Sequence, residues 1–244
     1  MDWQTVVPKL RDWLRQKVAE AGARGLVLGL SGGIDSAVAA ALCKQAFPQH
    51  SLGVIMPCYS IPQDEEDARL VAEHLGLETR TVILDPVFTT FLKQLSGEDY
   101  SEANKRDLAV ANIKPRLRMA TLYFFASRLG YLVVGTGNRS EIMIGCFTKY
   151  GDGGADLLPL ANLLKAEVKE LARYLGLPRR IIEKSPSAGL WDGHKDEVEL
   201  GISYEELDRY LMSGKGSDRV KSIVNELIKR SEHKRCMPPT PPLD

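Results

Sequence analysis

The chain has 244 residues, 44% of them hydrophobic, and its 32 basic side chains cancel 32 acidic ones. This suffices for a substantial core in one domain over residues 1–244, and it leaves no global field to draw in nucleic acid or an anionic membrane. No apolar run approaches the roughly 20 residues of a membrane helix, the polar start MDWQTVVPKLRDWLRQ lacks a signal peptide's apolar core, and Cys43, Cys58, Cys146 and Cys236 form no CxxC pair, so a cytoplasmic location is expected.

In chain order, KLRDWLRQKVAEAG predicts an amphipathic helix over 9–22, and LVLGL a buried strand over 26–30. An alanine-rich helix is expected over 37–47, a strand in SLGVIMP (51–57), and a helix in QDEEDARLVAEHLGL (63–77) with acids in its first turn. TRTVIL (79–84) and YLVVGT (131–136) complete four strands. Residues 100–130 read as a long helical stretch in which Pro115 marks a kink or a start. Apolar strands alternating with helices imply an α/β fold, a doubly wound parallel sheet with helices on both faces. The glycine-bearing strand ends LSGGIDS and GTGN would then share one rim, where such sheets bind ligands. The terminal MPPTPPLD reads as an extended tail.

The loop SGGIDS is the most informative stretch. Ser31, Gly32 and Gly33 turn the chain so that N–H groups at the following helix start converge, an anion site suited to phosphate. Two glycines would also allow a ligand close to the backbone. It is neither Walker A nor the dinucleotide fingerprint GxGxxG. Asp35 beside a phosphate cradle would repel the ligand without a cation between them, which suggests magnesium. Taken alone, Ser31 and Asp35 also suit ordinary helix capping. The four histidines show no ligand spacing, and Cys58 and Cys146 read as small buried hydrophobes.

SGGIDS resembles the pyrophosphate-binding loop of the ATP pyrophosphatase, or PP-loop, enzymes, which share a Rossmann-like adenine nucleotide hydrolase fold. Within that group GTGNRSEIMIGCFTKYGDGGADLLPLANLLK (135–165) resembles the most specific segment of the NAD synthetase family. NIKPRLRM (112–119), PSAGLW (186–191), DEVELGISYEELD (196–208) and HKRCMPP (233–239) match its later motifs in order.

The resemblance implies a ligase that joins ammonia to the nicotinate carboxylate of deamido-NAD, using ATP as co-substrate and Mg2+. Leu30, Ser31, Gly32, Gly33, Ile34, Asp35, Ser36 and Ala37 would wrap the ATP phosphates, with Thr136, Lys165 and Ser187 also at the nucleotide. Asp35 and Glu141 would hold the metal; Arg116, Lys149, Asp156, His233 and Lys234 would bind deamido-NAD. Asp35, Lys165 and Asp152 carry the catalytic expectations, Asp152 as the carboxylate on the ammonia side. Outside the pattern, Glu141 would be a helix-stabilising acid, Lys165 and Arg116 exposed helix residues, and His233 part of a solvated basic tail.

Two departures stand out: Ile34 replaces a frequent Gln, and His194 and Lys195 replace a frequent Gln-Thr pair in an expected lid over 189–200. With synthetase motifs beginning by residue 26, no glutaminase domain is expected, and ammonia would be the direct substrate. The family resemblance and the apolar MATLYFFASRLG imply a homodimer with a shared deamido-NAD site; packing on the sheet would account for that segment equally well. Nucleic acid and membrane partners are not expected. Two rivals remain, another PP-loop enzyme such as a tRNA-modifying thiolase, and a non-enzymatic adenine-nucleotide sensor. The first would want a basic RNA surface and a cysteine pair; the second would not need Glu141, Lys165 and GDGGAD.

Overall fold

The computed structural model describes residues 1–187, 189, 191 and 196–242. His194 and Lys195 of the expected lid therefore lie outside the described residues. The helices are α1 (Trp3–Glu20), α2 (Ile34–Ala46), α3 (Pro62–Leu75), α4 (Asp85–Ser96), α5 (Leu108–Ala111), α6 (Ile113–Leu129), α7 (Arg139–Ile144), α8 (Lys165–Tyr174), α9 (Arg179–Glu183), α10 (Asp196–Leu200), α11 (Tyr204–Ser213) and α12 (Asp218–Arg230). Strands β1 (Gly25–Gly29), β2 (Ser51–Ile55), β3 (Glu78–Thr81) and β4 (Tyr131–Val134) form one sheet in the order β3-β2-β1-β4, and all pairings are parallel.

Side chains alternate across the sheet and build a core on each face. Leu26, Leu28 and Ile55 pack with the interior of α1, α2, α3 and α8. Val27, Val54 and Val133 turn the other way, toward Phe88 and Leu92 of α4 and Leu122 of α6. The expected doubly wound layer is therefore present. Helix α2 is enclosed by α1, α3, α8 and β1, and its run Ala37, Ala39, Ala40 and Ala41 is buried. Small side chains at those positions let four neighbours approach one helix.

The elements differ from expectation at their edges. Helix α2 begins at Ile34, because the first turn is part of the glycine loop itself. Strand β3 ends at Thr81, although Val82 N–H and Leu84 N–H still reach the carbonyls of Ile55 and Pro57 at 2.9 Å. The segment 100–130 is not one helix: α5 stops at Ala111, and Pro115 lies in the first turn of α6, where a missing N–H leaves no bond unmade. A short parallel bridge from Val134 to Leu157 extends the sheet beyond β4. Among the described residues no helix is long and apolar enough to cross a membrane.

Candidate active site

From β1 the chain runs outward to β2 and β3 and then crosses back to β4 on the other side of β1, so a crevice opens at the carboxyl ends of β1 and β4. The SGGIDS loop enters it from β1 and the GTGN turn from β4.

The loop is held by its own serines. Ser36 Oγ donates to Gly33 O (2.9 Å) and lies 3.0 Å from Ser31 Oγ, which accepts from Gly33 N–H at 3.3 Å. Gly33 is the N-cap of α2 and offers no side chain. Among the described residues, the N–H groups of Ile34, Asp35 and Ser36 therefore meet no acceptor, as first-turn donors do until a ligand arrives. The two glycines play different parts. Gly32 has φ +75°, and a Cβ there would lie 2.5 Å from Asp64 O and 2.7 Å from Asp67 Cβ of α3. Gly33 faces open space apart from Ser31 Oγ, 3.4 Å from such a Cβ. Only Gly33 answers to the expected close approach of a ligand; Gly32 is required by the turn and by α3.

Lys184, beyond α9, supports the loop from behind. Its Nζ donates to Asp64 Oδ1 (2.8 Å), Asp67 Oδ2 (2.6 Å) and Gly32 O (3.4 Å). Ser187 follows on the same segment, exposed, its Oγ accepting from Gly189 N–H at 3.1 Å.

Across the crevice three sequence-predicted residues converge. Lys165 Nζ lies 2.6 Å from Asp35 Oδ2 and 2.9 Å from Glu141 Oε1, and all three side chains are 10–17% exposed. Burial opposes the lysine's charge, yet the Asp35 and Glu141 carboxylates outweigh it and hold the ammonium protonated well above the usual lysine range. Burial first, and the Asp35 charge second, push the Glu141 carboxyl up to about 7. The arrangement is one cation shared by two carboxylates at the mouth of a phosphate-type loop.

Asn138 completes it and was not singled out by the sequence reading. Fully buried, it donates from Nδ2 to Asp35 Oδ1 (2.8 Å) while its Oδ1 accepts from Glu141 N–H (3.1 Å), and Glu141 Oε2 accepts from Asn138 N–H (3.2 Å). The available signal was the capping-box spacing of Asn138 and Glu141.

The other predicted residues divide into groups. Thr136 lies on the rim between β4 and Asn138. Lys149, His233 and Lys234 come together: Lys149 Nζ donates to His233 O (2.7 Å), and Lys234 Nζ to Gly145 O (2.8 Å) and Phe147 O (2.7 Å). Arg235 fastens that turn to α7 through Met143 O at 2.9 Å. Asp152 is exposed on the same loop and accepts from Thr148 N–H at 2.9 Å. Asp156 stands apart at the edge of β4, accepting from Val133 N–H (2.7 Å) and Tyr123 OH (3.0 Å). Arg116 is exposed on α6, whereas Arg118 turns inward to Met56 O and Ser60 Oγ, each at 3.2 Å.

A parallel sheet with a glycine loop opening α2, and a cation-bridged acid pair at its switch point, is the architecture of the PP-loop adenine nucleotide hydrolase fold. The chain belongs to the NAD synthase family, whose model matches residues 6–238. An NH(3)-dependent NAD(+) synthetase from Carboxydothermus hydrogenoformans is 54% identical over 100% of this chain and 99% of its own. Among solved structures, an NMN synthetase from Francisella tularensis matches with a TM-score of 0.92 at 38% identity, over 99% of each chain. An NH3-dependent NAD synthetase from Campylobacter jejuni matches with a TM-score of 0.80 at 30% identity, over 99% of this chain and 100% of that one.

Proposed function

We propose that this chain, in the cytoplasm, converts deamido-NAD, ATP and ammonia into NAD, AMP and pyrophosphate through an adenylated nicotinate carboxylate. The observation that carries this is the Asp35–Lys165–Glu141 cluster beside three unpartnered helix N–H groups. A carboxylate resists ammonia because it is negatively charged and resonance-stabilised; as a mixed anhydride with AMP it becomes electrophilic. The protein must hold two anions together for that step, work done by positioning and fixed charge.

The loop N–H groups take the departing pyrophosphate, and Lys165 offers its ammonium to the phosphates. Hard carboxylate oxygens on Asp35 and Glu141 suit Mg2+, which takes one or two protein carboxylates and completes its shell with phosphate oxygens and water. Among the described residues no group of three or more His, Cys, Asp or Glu forms a cage of its own, in keeping with a metal that arrives with ATP. When bound, the ion would offset charge on the α-phosphate. Lys149, His233 and Lys234 form the cationic end for deamido-NAD, with Arg116 and Asp156 on the outer faces and Asp152 on the ammonia side.

The test is pyrophosphate release from ATP with magnesium and ammonium, with and without deamido-NAD. Release that depends on deamido-NAD and equals the NAD formed is expected; ATP binding without it would remove this reading. Ammonium should support turnover where glutamine alone does not, and equal rates with the two would overturn direct use of ammonia.

A second reading concerns the substrate's size. The backbone matches the Francisella tularensis NMN synthetase more closely than the Campylobacter jejuni NAD synthetase, which favours amidation of nicotinate mononucleotide by the same chemistry. Comparing kcat/KM for the mononucleotide and for deamido-NAD separates the two.

We further propose a homodimer. Helix α4 packs on α6, and together they leave Phe91 (46% exposed), Leu95 (62%) and Phe124 (63%) at the surface, a pattern that suits a partner subunit. Light scattering should give twice the chain mass, and the double variant Phe91→Asp, Phe124→Asp should halve it. A fully active single chain would count against the dimer.

A further inference from the structure

Lys165 reaches the two carboxylates from the first position of α8, and that helix begins without an N-terminal side-chain cap. Leu164 stands at the N-cap and carries no acceptor. The orphan donors are met from two other elements instead. Lys165 N–H donates to Ser140 Oγ of α7 (3.0 Å), and Ala166 N–H donates to Asp208 Oδ2 of α11 (2.9 Å). The Ser140 hydroxyl donates in turn to Asp208 Oδ1.

Ser140 is fully buried and Asp208 is 5% exposed. A carboxylate withdrawn from water is costly unless it is well bonded; here it sits at the positive end of α8 and gathers a hydroxyl and an N–H. Helix α11 also reaches Lys165 itself. Tyr204, one turn before Asp208, sets its ring 5.1 Å from Lys165 Nζ. The lysine's N–H is thus held by Ser140, which Asp208 orients, while Tyr204 flanks its side chain, and Asp208 and Tyr204 share one face of α11. Ser140 also immediately precedes Glu141, so the clamp holds two of the three members of the cluster.

We propose that Asp208, acting through Ser140, is a positioning residue of the reaction: it sets Lys165 at the depth where the ammonium spans Asp35 and Glu141. The inference rests on the reading that this cluster serves ATP. Asp208 itself touches none of the reacting groups.

The experiment pairs Asp208→Asn with Ser140→Ala. Asparagine keeps the shape and an acceptor for Ala166 N–H, but it presents a donor to Ser140, whose own proton then loses its partner. Both variants should lower kcat/KM for ATP by about 10- to 100-fold, leaving KM for deamido-NAD within about twofold. A variant that melts lower yet keeps wild-type kcat and KM for ATP would reduce Asp208 to a helix cap and overturn the proposal.

A second readout uses the nucleotide-free protein. Thermal midpoints of Asp208→Asn, Lys165→Met and the double variant form a cycle, and a non-additive result is expected. Additive shifts would overturn the proposal. Should Asp208→Asn fail to fold, Ser140→Ala carries the same cycle. If the wild-type protein released no pyrophosphate with deamido-NAD, the functional reading would fall, while the melting cycle would still decide whether Asp208 acts on Lys165.

Discussion

Lys165→Met is expected to abolish deamido-NAD-dependent pyrophosphate release and to destabilise the magnesium-free protein by about 3–5 kcal/mol. The ammonium is set between Asp35 and Glu141 at 2.6 and 2.9 Å; methionine fills the volume but removes that positive charge from between two buried acids. The pH dependence has a definite sign. Glu141 is already raised to about 7 by burial and by Asp35, and the Lys165 charge pulls it down. A carboxyl raised in the folded state holds a proton the unfolded chain has released, so stability falls as pH climbs from the ordinary carboxylate range toward the raised value. Without Lys165 that fall steepens and extends upward, and the variant should be more stable near ~pH 5 than near ~pH 8. Magnesium should stabilise the variant more than the wild type, since an added cation replaces the lost one. Denaturant midpoints with and without magnesium at the two pH values check this; a midpoint that ignored both would show that the lysine carries no such role.

The second large effect separates the glycines of the phosphate loop. Gly32→Ala forces an L-residue into left-handed backbone, which disfavours it by about 1–2 kcal/mol, and drives a methyl into Asp64 O and Asp67 Cβ at 2.5 and 2.7 Å. Backbone of α3 cannot yield cheaply, so the loop should shift, the melting temperature drop and ATP binding be lost together. Gly33→Ala meets only Ser31 Oγ at 3.4 Å, so it should melt within a degree or two of wild type while still blocking ATP. Thermal melts alongside nucleotide titration distinguish the two. Normal ATP affinity in Gly33→Ala would mean that phosphate does not approach that backbone.

These contrasts show what was readable in the sequence. Local patterns revealed the strand, loop and helix around SGGIDS, the parallel layer, and Asp35, because each depends on neighbours within a few residues. Glu141 and Lys165 are 24 residues apart, and Lys165 is 130 from Asp35; their meeting was reachable through the family pattern, since no local rule links them. Asn138 escaped because its cap to Glu141 is local but its bond to Asp35 spans 103 residues. Asp208 left a fainter sign: it lies on the stripe formed with Tyr204, Leu207 and Leu211, so an acid occupies the apolar face of an amphipathic helix. The separate roles of Gly32 and Gly33 were invisible, because they depend on where α3 packs. The edge of β3 was misjudged because pairing geometry, not residue type, ends that strand, whereas Pro115 did mark a helix start, that of α6.

Many metalloproteins cannot assemble until their ion arrives, because the ligands repel one another. This chain carries an internal counterion for its two acids, so it should fold without any added ion. With the magnesium proposed for Asp35 and Glu141, chelation should silence the protein while leaving it intact, a dormant stock ready to resume work once the ion returned.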